Sequence, residues 1–139
     1  VAKKKSKLQK KKDDPRSKYW KARADKLWGM VIHEIYGECA IGENCAGNLE
    51  AHHLITRSNV GTRHSIENGI LLCSKHHKYC TKISAHMAPL SFSEWLQQNK
   101  PETWQWCSEN KRVISKPDYK QAYENLLSYC TENNLNIVI

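Results

Sequence analysis

Apolar residues recur at Trp20, Ala24, Leu27, Trp28, Val31, Ile32 and Ile35, the three-and-four spacing of one helix face, and the run stops at Gly37. Asp13-Asp14-Pro15 breaks the preceding polar stretch and can start such a helix, so the spacing predicts one amphipathic helix over residues 16–37. Residues 38–48 hold Gly42, Asn44, Gly47 and Asn48 and read as a turn-rich segment. Residues 49–54 read as a short strand, 55–65 as a polar loop, 70–72 as a second strand and 74–83 as a helix. Further on, Ser91-Phe92-Ser93-Glu94 matches a capping box ahead of Trp95 and Leu96, with Pro101 as the stop. A last helix is expected over residues 117–131, with Tyr119, Ala122, Tyr123, Leu126, Leu127 and Cys130 on its apolar face. The expected fold class is α+β: a small strand, loop, strand, helix core over about residues 39–83, with helical flanks at 16–37 and 91–133. The tryptophans are assigned to core packing rather than base stacking.

Charge changes this picture at one end only. The 139 residues carry a formal charge of +8, but residues 1–26 hold a net +9 and residues 27–139 a net −1. Lys3, Lys4, Lys5, Lys7, Lys10, Lys11 and Lys12 stand with almost nothing apolar between them. Residues 1–15 are therefore expected to form a basic flexible tail, disordered or loosely helical, able to neutralise phosphates. Residues 16–139 are expected to form a single domain, because a core of this size is reached at roughly 100–150 residues. No apolar run approaches a membrane span, and the basic start lacks the apolar core of a signal peptide, so a cytoplasmic, reducing setting is expected. In that setting six cysteines point to metal ligands or buried thiols rather than disulfides.

The candidate chemistry lies in two histidine pairs, Ala51-His52-His53-Leu54 and Ser74-Lys75-His76-His77-Lys78. Adjacent residues point to opposite faces of a strand and differ by about 100° on a helix, so each pair can serve two sites. Cys39, Cys45, Cys73 and His76 could make a tetrahedral structural zinc site that staples segments with little core of their own. Cys80, four residues beyond His76 on the same expected helical face, could replace one ligand. The remaining His52, His53, Asn68 and His77 can converge on a second site. Phosphodiester hydrolysis needs a cation to stabilise charge on phosphate and a base neutral near pH 7, and histidine supplies both. Arg57 and Arg63 flank this site in the loop, while Lys75, Lys78 and Lys82 lie on or beside the helix, all placed to hold phosphates. His33, His64 and His86 are assigned as structural or surface residues.

Leu49-Glu50-Ala51-His52-His53-Leu54-Ile55, then Glu67-Asn68-Gly69-Ile70-Leu71-Leu72-Cys73, then His76-His77-Lys78, together resemble the HNH endonucleases and their ββα-metal module, small phage-encoded members in particular. The resemblance covers roughly residues 39–83. It implies a single divalent ion held in part by His52 and His77, with His53 as general base and cleavage leaving a 5′-phosphate and a 3′-hydroxyl. Asn68 would brace the loop that aims His53, or approach the metal. The sequence departs from the family pattern in three places: a histidine stands at the second thiol position of the final zinc pair, Cys39 and Cys45 are widely spaced, and His52 stands where many members have aspartate. The last change tilts the cofactor from Mg²⁺ toward Mn²⁺, Ni²⁺ or Zn²⁺.

The sequence is thus read as a metal-dependent HNH endonuclease acting on DNA, with a structural Zn²⁺ and a catalytic divalent ion. Phage packaging or recombination proteins are the partners that the resemblance implies. The rivals are a zinc-ordered DNA-binding or scaffold module without catalysis, and a nuclease directed at RNA or branched DNA.

Overall fold

A computed structural model describes residues 3–139; residues 1 and 2 of the expected tail lie outside the described residues. Helix α1 runs Lys7–Asp13 and α2 Lys18–Tyr36; strand β1 spans Leu49–His53 and β2 Gly69–Cys73; α3 runs Pro89–Asn99, α4 Pro101–Asn110 and α5 Tyr119–Glu132. A short 3₁₀ turn at Ile66–Asn68 leads into β2, and a π-helical turn at Lys75–Tyr79 leaves it. The architecture is mixed: helices around a small two-stranded antiparallel sheet. None of the helices among the described residues is long and apolar enough to cross a membrane.

Helix α2 buries Ala24, Leu27, Trp28, Val31 and Ile32, and it ends at Gly37, whose φ of 70° closes the left-handed cap with its N–H on the His33 carbonyl. That face packs on α5 through Tyr123 and Leu126, with Leu71 of β2 filling the same core. Successive residues of a strand face opposite ways. Ile70 and Leu72 accordingly join Cys39, Phe92 and Leu96 in a second core beneath α3, and Cys73, the last residue of the strand, joins them. The register pairs His53 with Gly69 and His52 with Ile70, so the two neighbouring histidines belong to different faces of the sheet. Gly69 has an ordinary negative φ; it is required by space. A Cβ there would run into the Ile32 side chain and approach Trp28 Cζ2 at 2.8 Å, so its absence lets α2 press directly on the sheet beside His53.

Two expectations need correction, and two are extended. The helix expected over residues 74–83 is only the π turn Lys75–Tyr79, closed by the Cys80 N–H on the Lys75 carbonyl. The chain leaves it because buried Ser84 donates to the Cys80 carbonyl and accepts from the Met87 and Ala88 N–H groups, folding residues 80–88 back on themselves. The Ser91–Glu94 capping box is not used: α3 begins earlier, with Pro89 in its first turn. Pro101 stops α3 and also opens α4, where its missing N–H costs nothing. Within the basic segment, residues 7–13 form a regular helix, with the Ser6 side chain accepting from Gln9 N–H and the Trp20 indole donating to the Lys12 carbonyl.

Candidate metal centres

Cys39, Cys45, Cys73 and His76 come together with all four ligand atoms within 4.8 Å of one another. Cys39 follows α2 and Cys45 lies on the turn-rich loop, which is tied to the end of β2 by Ser74 N–H on the Asn48 carbonyl and Lys75 N–H on the Ala46 carbonyl. Cys73 ends β2 and His76 sits in the π turn. His76 Nδ1 is 3.2 Å from Cys73 Sγ and 3.7 Å from both Cys39 Sγ and Cys45 Sγ. Tetrahedral bonds of about 2.1 Å to nitrogen and 2.3 Å to sulfur put such atoms roughly 3.6 Å apart, so the donor set fits a structural metal such as zinc. The thiols themselves argue for a cation. Burial opposes ionisation of Cys39, but N–H groups of Gly42, Cys73 and Ile41 more than offset it and lower its pKa. Cys45 is pushed up to about 12, by desolvation of its sulfur and then by the Cys39 and Cys73 thiols beside it. Thiolates this close repel one another, and a cation shared among them would relieve that. Cys80 is outside the cluster, because the chain turns away before an i+4 position on a continuous helix exists. All six cysteines are free.

A second cluster lies on the other side of the same turn. His52 Nδ1 is 3.1 Å from His77 Nε2, and His77 Nε2 is 3.1 Å from His86 Nε2. Among the described residues, these three histidines and the Cys₃His group are the two sets able to hold a metal. Glu50, on the same strand face as His52, accepts from His77 Nδ1–H at 2.8 Å and fixes the tautomer that leaves Nε2 with its lone pair directed into the cluster. Burial, reinforced by His77, His86 and His53, drops the pKa of His52 to about 3, and burial lowers that of His86 as well. Ring nitrogens that approach to 3.1 Å match the bite of a cation with bonds of about 2.1 Å, which sets neighbouring donors roughly 3.0–3.4 Å apart. His86 was assigned to the surface or structure from sequence; the folded-back segment 80–88 brings it here, through His86 N–H on the His77 carbonyl. The one hint in the sequence was its position shortly after the histidine pair.

His53 lines the same cleft as His52, His77 and His86, together with Arg57 and Lys78; the cleft measures about 650 Å³. Its Nε2–H donates to the Arg63 carbonyl at 2.9 Å, so Nδ1 is the ring atom free to accept a proton. Burial lowers the pKa of His53, keeping the ring neutral near pH 7. Asn68 is fully buried. It accepts from Ile55 N–H at 2.6 Å and donates to the carbonyls of Ile55 and Thr62, pinning both ends of the loop that follows His53.

The five basic residues separate. Arg57 and Lys78 line the histidine cleft. Arg63 does not project to solvent: its guanidinium forks onto Asp25 at 2.8 and 2.9 Å and reaches the Arg57 carbonyl. Lys75 and Lys82 line a different cleft, beside Tyr79, Cys80, Trp95 and Lys100, and Lys75 Nζ is bonded to the Asn44 carbonyl. The structure also assigns His64, whose Nε2 is 2.6 Å from Asp25 Oδ1. Of the tryptophans, Trp28 is in the core, while Trp20, Trp95 and Trp104 pack at its margins. In comparisons with known proteins, the chain matches no family model, no curated protein and no solved structure.

Proposed function

We propose that this chain is a metal-dependent endonuclease of the HNH kind, hydrolysing DNA phosphodiester bonds. In this reading β1, β2 and the Lys75–Tyr79 turn are the ββα-metal module, with the Cys₃His group as its staple. The observation that carries it is the company His53 keeps. A neutral imidazole with Nδ1 free shares one cleft with three histidines whose ring nitrogens converge, and with two cationic side chains.

His53 takes the proton of the attacking water at Nδ1, while the Arg63 carbonyl holds Nε2–H and stabilises the imidazolium that results. His52, His77 and His86 would hold a divalent ion, and such an ion supplies charge stabilisation at the phosphate and the leaving oxygen. Three nitrogen donors favour Mn²⁺, Ni²⁺ or Zn²⁺ over Mg²⁺. Glu50 keeps His77 in the required tautomer, Arg57 and Lys78 draw the phosphate backbone into the cleft, and Asn68 keeps the loop after His53 in one shape. The lysines of residues 3–12 add affinity that does not depend on base sequence.

Supercoiled plasmid incubated with Mg²⁺, Mn²⁺, Ni²⁺ or Zn²⁺ tests this directly. Wild-type protein should nick or cut it, and His53→Ala should slow the reaction by about 10²–10⁴-fold, the usual worth of a general base. Equal background cutting by both proteins rules the proposal out and leaves a zinc-stapled binding module. Competition among duplex, branched and single-stranded DNA and RNA identifies the preferred substrate.

A further inference from the structure

Helix α2 carries Asp25 and Trp28 three residues apart, on one face and turned toward His53. Both make contacts unlike ordinary core packing. The Asp25 carboxylate takes a two-pronged grip on Arg63, through Nε at 2.8 Å and Nη2 at 2.9 Å, and its Oδ1 also accepts from His64 Nε2 at 2.6 Å. Two consecutive loop residues are thereby tied to α2. The backbone carbonyl of one of them, Arg63, receives His53 Nε2–H. The Trp28 ring lies flat against the His53 imidazole, with centroids 3.8 Å apart and planes within 10°, and its indole N–H donates to the Ser65 carbonyl at 2.9 Å. The loop is thus held on both sides of the carbonyl that receives His53, and the ring has one face covered.

We propose that Asp25 and Trp28 are positioning residues for His53: Asp25 sets the Arg63 carbonyl that selects the Nε2–H tautomer, and Trp28 sets the plane of the ring. This rests on the reading of His53 as the general base. A flexible loop presenting Arg63 would let the imidazole turn or exchange its proton between nitrogens, and each departure removes the Nδ1 acceptor from the water. The two residues act at different degrees of freedom, so their effects should differ in kind. Losing the carboxylate frees the tautomer, and losing the indole frees the ring angle. Arg63, expected from sequence to hold phosphate, has on this account a different job: its side chain fixes the position of its own carbonyl.

The test uses the full chain supplied with zinc. Plasmid cleavage is measured under single-turnover conditions, DNA affinity is measured separately, and the His53 tautomer is read from ¹⁵N shifts of the imidazole. Asp25→Ala should slow cleavage by roughly 10–100-fold, as loss of an orienting partner behind a functional histidine does, with DNA affinity and zinc content unchanged. The ¹⁵N spectrum should change from a single Nε2–H form to a mixture. Asp25→Asn keeps an acceptor and the shape; it should retain more activity than alanine, and it supplies the same readouts if the alanine variant does not fold. Trp28→Phe, which also loses the bond to the Ser65 carbonyl, should lower the rate with a smaller change of tautomer than Asp25→Ala. A wild-type rate in Asp25→Ala overturns the proposal, as does a slower rate with an unchanged tautomer, since that marks a merely structural ion pair. His53→Ala keeps the two readings apart. If it cuts like wild type, the general-base reading fails whatever Asp25 does; if it loses cleavage while Asp25→Ala cuts at the wild-type rate, only the positioning role fails.

Discussion

The Cys₃His group and the three-histidine group stand on opposite sides of one π-helical turn, yet they are built on opposite plans. The first spends three sulfurs and one nitrogen, from the segment after α2, the turn-rich loop, the end of β2 and the turn, and three of its four residues are buried. Every one of its ligands ties a different stretch of chain to the others. The second offers nitrogen donors alone, none of its residues is fully buried, and it opens into a cleft with Arg57 and Lys78. A full set of four donors suits a staple, whereas three donors facing a cleft leave coordination positions for water or phosphate. Adjacent residues, His76 and His77, enforce the division because they point away from each other across the turn.

That contrast can be broken from either side. The largest effect is expected at the staple: Cys73→Ser should abolish tightly held zinc and with it the cooperative unfolding transition seen by circular dichroism, since binding and folding are one process at such a site. Protein dialysed against chelator should keep about one zinc in wild type and none in the variant; a folded, zinc-free variant would show that the core stands without it. At the open site, His77→Ala should remove the weaker metal equivalent and cut plasmid cleavage by about 10²-fold or more, while the melting temperature stays near wild type in the absence of added metal. A collapse in stability would instead make this group a second staple. His86→Ala should act in the same direction.

Between the two sites, Gly69→Ala tests whether α2 is seated as tightly as its contacts indicate. The new methyl group meets Ile32 and Trp28 and should destabilise the fold by about 1–3 kcal/mol in urea titrations, the usual cost of overpacking. An unchanged midpoint would mean that the helix can step back from the sheet freely. The basic segment should matter to neither metal. Replacing Lys4, Lys7, Lys10 and Lys11 by alanine should lower the slope of log affinity for duplex DNA against log salt by up to about 0.9 for each lost phosphate contact. An unchanged slope removes these lysines from the binding surface. Lys5 and Lys12 are left in place because they already engage Asp13 and the Tyr19 ring.

The smallest effect is confined to acid. Burial tends to raise the Asp25 carboxyl, but hydrogen bonds and charge from Arg63 and His64 outweigh it and hold the group well below the usual carboxylate range. The unfolded chain therefore binds this proton first. The stability that Asp25 contributes is complete above an unfolded pKa of about 3.9 and fades as pH falls toward the lower folded value. Urea midpoints of wild type and Asp25→Asn, compared from pH 7 down to pH 2, should converge in that acid window. A gap that persists to the lowest pH would leave the ionised carboxylate without a part in holding the loop.

Much of this was legible in the chain because local chemistry dictated it. The apolar face of α2, its stop at Gly37, the paired strands and α5 all follow from periodicity and capping, and the structure reproduces them within a few residues. The four members of the Cys₃His cluster were also legible, since Cys73 and His76 carry ligand spacing and two further thiols lie just upstream. The end of the Lys75–Tyr79 turn was not, for buried Ser84 closes the segment after it through three hydrogen bonds that no periodicity announces. The same closure hid His86, which looks like an isolated surface histidine until the chain doubles back.

The sequence by itself determined the elements, the order of the donors and the assignment of adjacent histidines to opposite sides, because side-chain direction is fixed within a strand or a turn by backbone geometry alone. Only the tertiary structure decided which distant groups complete each site. Glu50 of β1 reaches His77 in the turn after β2, and Asp25 grips the loop behind His53 from a helix 38 residues earlier in the chain. Such partners are chosen by where packed surfaces meet, with α2 drawn onto the strands by burial of Trp28, Val31 and Ile32, and that choice depends on shape and volume rather than on spacing along the chain.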